Sequence, residues 1–248
     1  MSYDKSFFDA MCDGSFTSAT NIVPRVLDLV AAKSVVDIGC ARGHWLAAFQ
    51  KCGISDIVGT DGDYVNRNEL AIPLESFIPV DLSTGIIPIR RRFDLAICLE
   101  VAEHLPQASA ANLVDSLTAL SPVVMFSAAV PGQGGEHHIN EQWPDYWYDL
   151  FVERDYTCID ALRMAIWHDP KIEWWYKQNL LIFVDNKALA NYPKLEQHAV
   201  GRPASFVHPD LFLRTLGLTE SLTALSSKKL VSVLASRTIN KVFQPAAR

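Results

Sequence analysis

The chain has 248 residues, 49% of them apolar and 20% charged, with 22 basic against 28 acidic side chains and a formal charge of −6. That length and apolar content suffice for one large α/β domain or two small ones, with a sizeable core, and they argue against global disorder. The acid excess counts against a surface built to hold polyphosphate backbones.

No basic stretch followed by an apolar one opens the sequence, and no apolar run of about 18 residues occurs, so a soluble cytoplasmic protein is expected. The five cysteines, Cys12, Cys40, Cys52, Cys98 and Cys158, include no CxxC pair. They read as small buried apolar residues of a reducing compartment.

Residues 1–33 read as an N-terminal helical cap in two pieces. Thr20-Asn21 would cap the second, which carries Ile22, Val23, Val26, Leu27, Leu29 and Val30 at helical spacing. A first strand, Ser34 to Ile38, is apolar enough for burial on both faces and runs into a glycine-punctuated turn, SVVDIGCARG. Gly43 opens a helix from His44 to Cys52, which Gly53 ends. The second strand, 56–60, ends in Asp61; the third, 77–80, in Asp81; the fourth, 93–99, in Glu100. A helix over 107–120 and a fifth strand over 123–128 follow. Strands alternating with helices predict βαβ units and a parallel sheet.

Past residue 130 the pattern changes. A glycine loop, PGQGGEHHINEQW, leads to an aromatic helix around Asp145 to Arg154. Apolar segments over 158–167 and 174–184, separated by HDPKIE, predict two consecutive strands paired as an antiparallel hairpin at the sheet edge. The core then spans 34–186. Residues 187–248 read as a helical tail packed on it, with Lys228, Lys229, Arg237 and Lys241 late in the chain.

Acids at the ends of successive parallel strands carry the functional signal, because ligands of doubly wound sheets bind in the crevice outside those ends. Gly39 and Gly43 allow backbone N–H groups to approach a cofactor closely. Asp61, about 20 residues after the first glycine, is placed to accept hydrogen bonds from ribose hydroxyls, and Asp81 could accept from an adenine amine.

The segments VVDIGCARG, GTDGDY, PVDL and FDLAICLEVAEHLP resemble the successive motifs of class I S-adenosylmethionine-dependent methyltransferases, over roughly residues 30 to 185. The resemblance implies a Rossmann-like, doubly wound, seven-stranded sheet, mostly parallel with a C-terminal antiparallel hairpin, and S-adenosylmethionine as cofactor. By position it places Asp37, Gly39, Cys40, Ala41 and Gly43 along the methionine and ribose, and Asp61 with Gly62 at the ribose. Asp81 and Leu82 fall at the adenine and Leu99 near the sulfonium. Ala41 stands where a glycine is usual. His44 and Trp45 either touch the methionine end or pack the start of their helix.

A second cluster is Glu100-Val-Ala-Glu103-His104, whose i, i+3 and i+4 residues share a face if the chain turns helically. It resembles the metal-binding segment of the 2′-O-methyltransferases of small-RNA 3′ ends and of the ubiquinone-pathway catechol O-methyltransferases. The former add a histidine from the loop after the fifth strand; His137 and His138 are available here, and His138 is favoured. The resemblance implies a divalent cation, Mg2+ or another, on Glu100, Glu103, His104 and His138. In the alternative, Glu103 and His104 only hydrogen-bond within the crevice and His104 or His138 acts as general base.

The aromatic block of Trp143, Trp147, Trp167, Trp174 and Trp175 reads mainly as a layer over the sheet edge. With Gln133, Asn140, Glu141 and Gln142 it could also line an amphipathic pocket. AVPGQGGEHHINEQWPDYW and WWYKQNLLIFV look like a bacterial subgroup associated with glycan and sugar biosynthesis.

The expected activity is therefore O-methylation of a sugar, glycan or other polyhydroxylated small molecule. RNA 2′-O-methylation, small-molecule N-methylation and non-catalytic cofactor binding stand as rivals. A small-molecule or glycan acceptor is the expected partner, with the charge against a nucleic acid and no membrane expected. Arg90-Arg91-Arg92 reads as a solvated turn.

Overall fold

A computed structural model of the protein describes residues 5–84 and 87–223, with side chains from 14 to 217. The chain divides into two units, Met1–Phe206 and Val207–Arg248. The second contains helix α8 (Pro209–Thr223), and the late basic residues of the tail lie outside the described residues.

In the first unit the elements run α1 (Lys5–Val30), β1 (Ser34–Ile38), α2 (His44–Lys51), β2 (Asp56–Asp61), β3 (Phe77–Pro79), β4 (Leu95–Leu99) and α3 (Ala110–Leu120). They continue with β5 (Val123–Ser127), α4 (Pro144–Val152), β6 (Tyr156–Ile159), α5 (Arg163–Ile166), α6 (Trp174–Asn179), β7 (Leu181–Asp185), α7 (Pro193–Glu196) and β8 (Ala199–Val200). The strands form one sheet in the order β3-β2-β1-β4-β5-β7-β6-β8. β1 to β5 pair in parallel, whereas β7 is antiparallel to both β5 and β6.

The central strands β4 (LAICL) and β5 (VVMFS) are buried along their whole length, as continuous apolar runs in a sheet covered on both faces must be. One face is covered by Ile22, Val23 and Val26 of α1 with Leu46 and Phe49 of α2. The other is covered by Leu113, Val114 and Leu117 of α3 with Trp147 and Phe151 of α4. Phe151 stacks on Phe183 of β7 with ring centroids 3.9 Å apart. Each such side chain contributes about 1.5–3 kcal/mol by leaving water. Strand order and packing together put the C-terminal ends of β1, β2 and β4 side by side, and that juxtaposition makes the site.

The fold is the expected Rossmann-like sheet, with four departures. The sheet has eight strands rather than seven, because Ala199 and Val200 add a short edge strand to β6. The N-terminal segment is one 26-residue helix rather than two pieces. Thr20 and Asn21 do not cap a second helix: both side chains donate to the Thr17 carbonyl, which bonds them back into the helix they sit in.

The antiparallel hairpin exists, but helices α5 and α6 intervene between its strands. Residues 158–167 and 174–184 are each part strand and part helix. Arg163 shows why: fully buried, it needs partners for its guanidinium. A helical turn folds it onto Asp160, three residues earlier, through two hydrogen bonds of 3.0 and 2.6 Å. The carbonyls of Gln178 and Ala204 both accept from its Nη1.

Arg90, Arg91 and Arg92 are all exposed, as a solvated turn should be. Arg91 makes a paired contact with Asp56 and lies over the Phe93 ring. Cys40, Cys98 and Cys158 are buried free thiols, and Cys52 is exposed. Among the described residues no helix is long and apolar enough to cross a membrane.

Candidate active site

A cavity of about 870 Å³ opens outside the C-terminal ends of β1, β2 and β4. Its floor is the turn after β1. Gly39 and Cys40 donate their N–H groups to the Thr60 carbonyl at 2.8 and 3.0 Å, which locks the turn onto β2. Gly39 has φ 83°, and a Cβ there would lie 2.3 Å from the Val101 side chain, so only glycine fits. Ala41 takes a left-handed φ of 46°, which a non-glycine residue tolerates at some cost in strain.

That strained turn aims the Ala41 N–H at Asp61. The Asp61 carboxylate accepts from Ala41 N at 2.7 Å, from Gly62 N at 2.6 Å, and from the Tyr64 hydroxyl. Burial raises its pKa above the usual carboxylate range, opposed by these three donors. Asp37 is buried beside it, and desolvation, followed by the charge of Asp61, pushes its carboxyl well up. Asp81, at the cavity rim, accepts from the Ser83 hydroxyl and N–H, which lowers its pKa. Val80, Leu82 and Leu99 supply apolar wall.

The opposite wall brings in elements that the sequence did not reveal. Ser15 of α1 shares a 2.8 Å hydrogen bond with the hydroxyl of Tyr176 on α6, and the Trp45 indole N–H donates to the same oxygen at 3.3 Å. Burial pushes the Tyr176 hydroxyl up to about 12. Helices α1 and α6 are thereby joined along one side of the cavity, with Trp45 and His44 beneath.

These residues fit S-adenosylmethionine. Asp61 presents two oxygens where a ribose diol could bind, and Asp37, Asp61 and Glu100 face a cavity with no Lys or Arg among its lining residues. A ligand carrying positive charge is favoured in such a place.

The second cluster forms where β4 ends. Glu100 adopts φ 55°, so the chain does not continue helically from it, and only Ala102–His104 make a 3-10 turn. The expected shared face for Glu100, Glu103 and His104 is therefore not formed. Glu100 instead accepts from Gln133 Nε2 at 2.8 Å and from Asn179 Nδ2 at 3.1 Å. Burial raises its pKa against those donors.

Glu103, His104 and His138 do converge: one ligand atom from each lies within 4.8 Å of the others. Glu103 is fully buried and neither of its carboxylate oxygens has a hydrogen-bond partner; the N–H groups of Glu103 and Ala129 approach it without completing one. Desolvation, then the charge of Glu100, raises its pKa well above the ordinary value. His104 is pulled down to about 4, first by burial and then by His138, so its imidazole is neutral near pH 7. Its ring meets that of His138 edge-on, with centroids 4.8 Å apart. His137, the other histidine of the loop, is exposed with φ 58°.

The loop itself is sewn to this cluster. Ile139 N and Asn140 N donate to the Glu103 carbonyl at 2.9 and 3.0 Å. A Cβ on Gly135 would stand 2.3 Å from His138 Nε2. The clash is with the end of a side chain that can turn aside. Gly135→Ala is thus expected to leave the melting temperature nearly unchanged while displacing the His138 ring; calorimetry and the His138 ring signals in NMR check this.

Of the expected cofactor residues, Asp37, Gly39, Cys40, Ala41, Asp61, Gly62, Asp81, Leu82 and Leu99 all line the one cavity. Gly43, with φ 79°, sits behind it, packed against Ile72 as N-cap of α2. Of the aromatic block, Trp147 and Trp174 are buried, whereas Trp143 is exposed.

A family model for a methyltransferase domain matches residues 16–169, more than half of the chain, and the chain belongs to that family. It is an S-adenosylmethionine-dependent methyltransferase. The fold is similar to that of DesVI from Streptomyces venezuelae, with a TM-score of 0.56 at 13% identity over 74% of this chain and 99% of that one. It is also similar to magnesium protoporphyrin IX methyltransferase from Synechocystis PCC 6803 with bound S-adenosylhomocysteine, with a TM-score of 0.51 at 16% identity over 69% and 83% of the two chains. A third likeness is to the methyltransferase domain of the bacterial CtHen1-C, with a TM-score of 0.50 at 18% identity over 68% and 97%. At such identities these are likenesses of fold. No curated protein sequence is significantly similar to the chain.

Proposed function

We propose that the protein transfers the methyl group of S-adenosylmethionine to a hydroxyl of a sugar, glycan or other polyhydroxylated small molecule, assisted by a divalent cation on Glu103, His104 and His138. The observation that carries this reading is the buried Glu103 carboxylate, without hydrogen-bond partners and beside two imidazoles. A buried ionisable group in that state costs about 1–3 kcal/mol unless something binds it. The donor set of one carboxylate and two imidazoles suits Mn2+, Co2+, Fe2+ or Zn2+ better than Mg2+, which prefers oxygen ligands throughout. A bound cation would hold two neighbouring hydroxyls and acidify the attacking one.

The chain's own groups supply the rest. Asp61 would hold the ribose, Asp81 the adenine, and the wall of Asp37 and Glu100 the positively charged end of the cofactor. His104, neutral near pH 7, is in the protonation state that can ligate a metal, whereas a pKa of about 4 makes it a weak proton acceptor at that pH. The cavity's carboxylates and lack of Lys or Arg, with Arg91 already paired to Asp56, disfavour phosphate-bearing acceptors, RNA included. Glu100, held by Gln133 and Asn179, is assigned to the cavity wall rather than to the cation.

Transfer is expected to disappear on exhaustive chelation and return with Mn2+, on vicinal diols but not on their monodeoxy analogues. His138→Ala should lower transfer roughly 10²–10⁴-fold while S-adenosylhomocysteine still binds in calorimetry. Full activity after chelation, on amines rather than diols, would replace this reading with N-methylation.

A further inference from the structure

We infer that Glu141 is a positioning residue that fixes the tautomer and direction of His138, and with it the shape of the acceptor loop. The inference rests on the role proposed above for His138.

Glu141 gathers the loop onto itself. One carboxylate oxygen accepts from Gly132 N at 2.8 Å; the other accepts from Gly134 N at 2.8 Å and lies 2.9 Å from His138 Nδ1. Two backbone N–H groups are donors only, so the carboxylate is the acceptor in both contacts. The third contact follows the same sense: Nδ1 carries the proton and donates to Glu141. Nε2 is then left with its lone pair, and it is the ring atom that faces Gly135.

Both side chains are mostly shielded, 12% exposed for His138 and 20% for Glu141, so water competes weakly for the contact. A carboxylate on the far nitrogen of an imidazole is the arrangement that orients the ring and makes its free nitrogen a better electron-pair donor. It serves a cation ligand and a general base equally. The other end of the segment is held independently by the Glu103 carbonyl through Ile139 and Asn140. Glu141 therefore adds orientation at the ring itself, where the backbone contacts cannot reach.

The tautomer is the readout that a merely loop-bracing Glu141 would not move. Long-range ¹H–¹⁵N correlation on labelled protein, with His138→Ala to assign the signals, is expected to show His138 protonated at Nδ1. In Glu141→Gln that signature should give way to the Nε2-protonated form, and Mn2+ affinity in calorimetry should fall about 10–100-fold. S-adenosylhomocysteine binding serves as the control for folding and is expected to be unchanged.

A wild-type His138 protonated at Nε2 overturns the proposal, and that measurement requires no variant to fold. So does a Glu141→Gln protein that keeps the Nδ1 tautomer and the wild-type Mn2+ affinity. An Nδ1 tautomer in a wild type that binds no Mn2+ supports the positioning role and places the failure in the cation reading, leaving Nε2 as a base.

Discussion

Glu103→Gln is expected to abolish divalent-cation binding and, in the absence of cation, to make the protein more stable than wild type at pH 8. The two effects have one cause. Folding buries the Glu103 carboxyl without hydrogen-bond partners and opposite the charge of Glu100, which raises its pKa well above the ordinary value. A carboxyl whose folded pKa is raised holds its proton more firmly in the folded than in the unfolded chain. Its contribution to stability is complete below the unfolded value of about 4.3 and is lost as pH rises through the folded one.

The glutamine variant has no such proton to lose. Its advantage should be small at pH 5 and grow to about 1–3 kcal/mol by pH 8, or about 2–4 °C per kcal/mol in a domain of this size. Mn2+ should reverse the order by stabilising only the wild type. Scanning calorimetry at both pH values, with chelator and with Mn2+, reads all four conditions. A variant whose advantage over the wild type in chelator fails to grow between pH 5 and pH 8, or one that Mn2+ stabilises equally, would remove Glu103 from the cation site.

The parts of this protein legible in the sequence are those where one local rule had no competitor. Strand-end acids after apolar runs marked Asp61, Asp81 and Glu100, and Gly39 marked the turn, because a parallel sheet leaves few other uses for that order. The failures have equally local causes. Short apolar runs such as 158–167 fit a buried helix as well as a strand, and the decision fell to Arg163, whose burial against the carbonyls of Gln178 and Ala204 is a tertiary fact.

Thr20 and Asn21 can cap a helix or bond back into one, and the buried face of α1 decided for the latter. EVAEH was read as a helical turn. The left-handed Glu100 breaks it and sends that side chain to Gln133 and Asn179, which lie 33 and 79 residues away in sequence. Ser15, Tyr64 and Tyr176 went unassigned, and Glu141 was read as pocket lining rather than as the partner of His138, because their roles depend on which loops meet. A sequence carries no sign of that without the fold. Strained backbone at Ala41 and Glu100, both on the cavity wall, is where local preference gives way to the site.

Asp61→Asn should weaken cofactor binding by about 100-fold or more, the loss of two charge-assisted hydrogen bonds of about 1.5–3 kcal/mol each. Asp61 is placed to do two things at once. It holds the Ala41 and Gly62 N–H groups, so that the β1 turn keeps its strained form, and it faces the cavity where a ribose diol could bind. An amide of the same shape turns an NH₂ toward one of those backbone donors, so turn and ligand contact fail together.

The Tyr64 hydroxyl separates the two contributions, since it donates to the same carboxylate without holding the turn. Tyr64→Phe keeps the turn and frees the oxygen, and it should bind S-adenosylhomocysteine at least as tightly as wild type. Because burial raises the Asp61 pKa, wild-type affinity should fall as pH drops through that raised value and the carboxylate gains a proton. The asparagine variant should show a flatter profile, sloped by Asp37 and Glu100 alone among the carboxylates assigned to the cofactor's charged end. Calorimetric titration of the three proteins from pH 5 to pH 8 tests the whole set. If Asp61→Asn binds within a few-fold of wild type, the ribose contact lies elsewhere, and Asp61 only braces the turn.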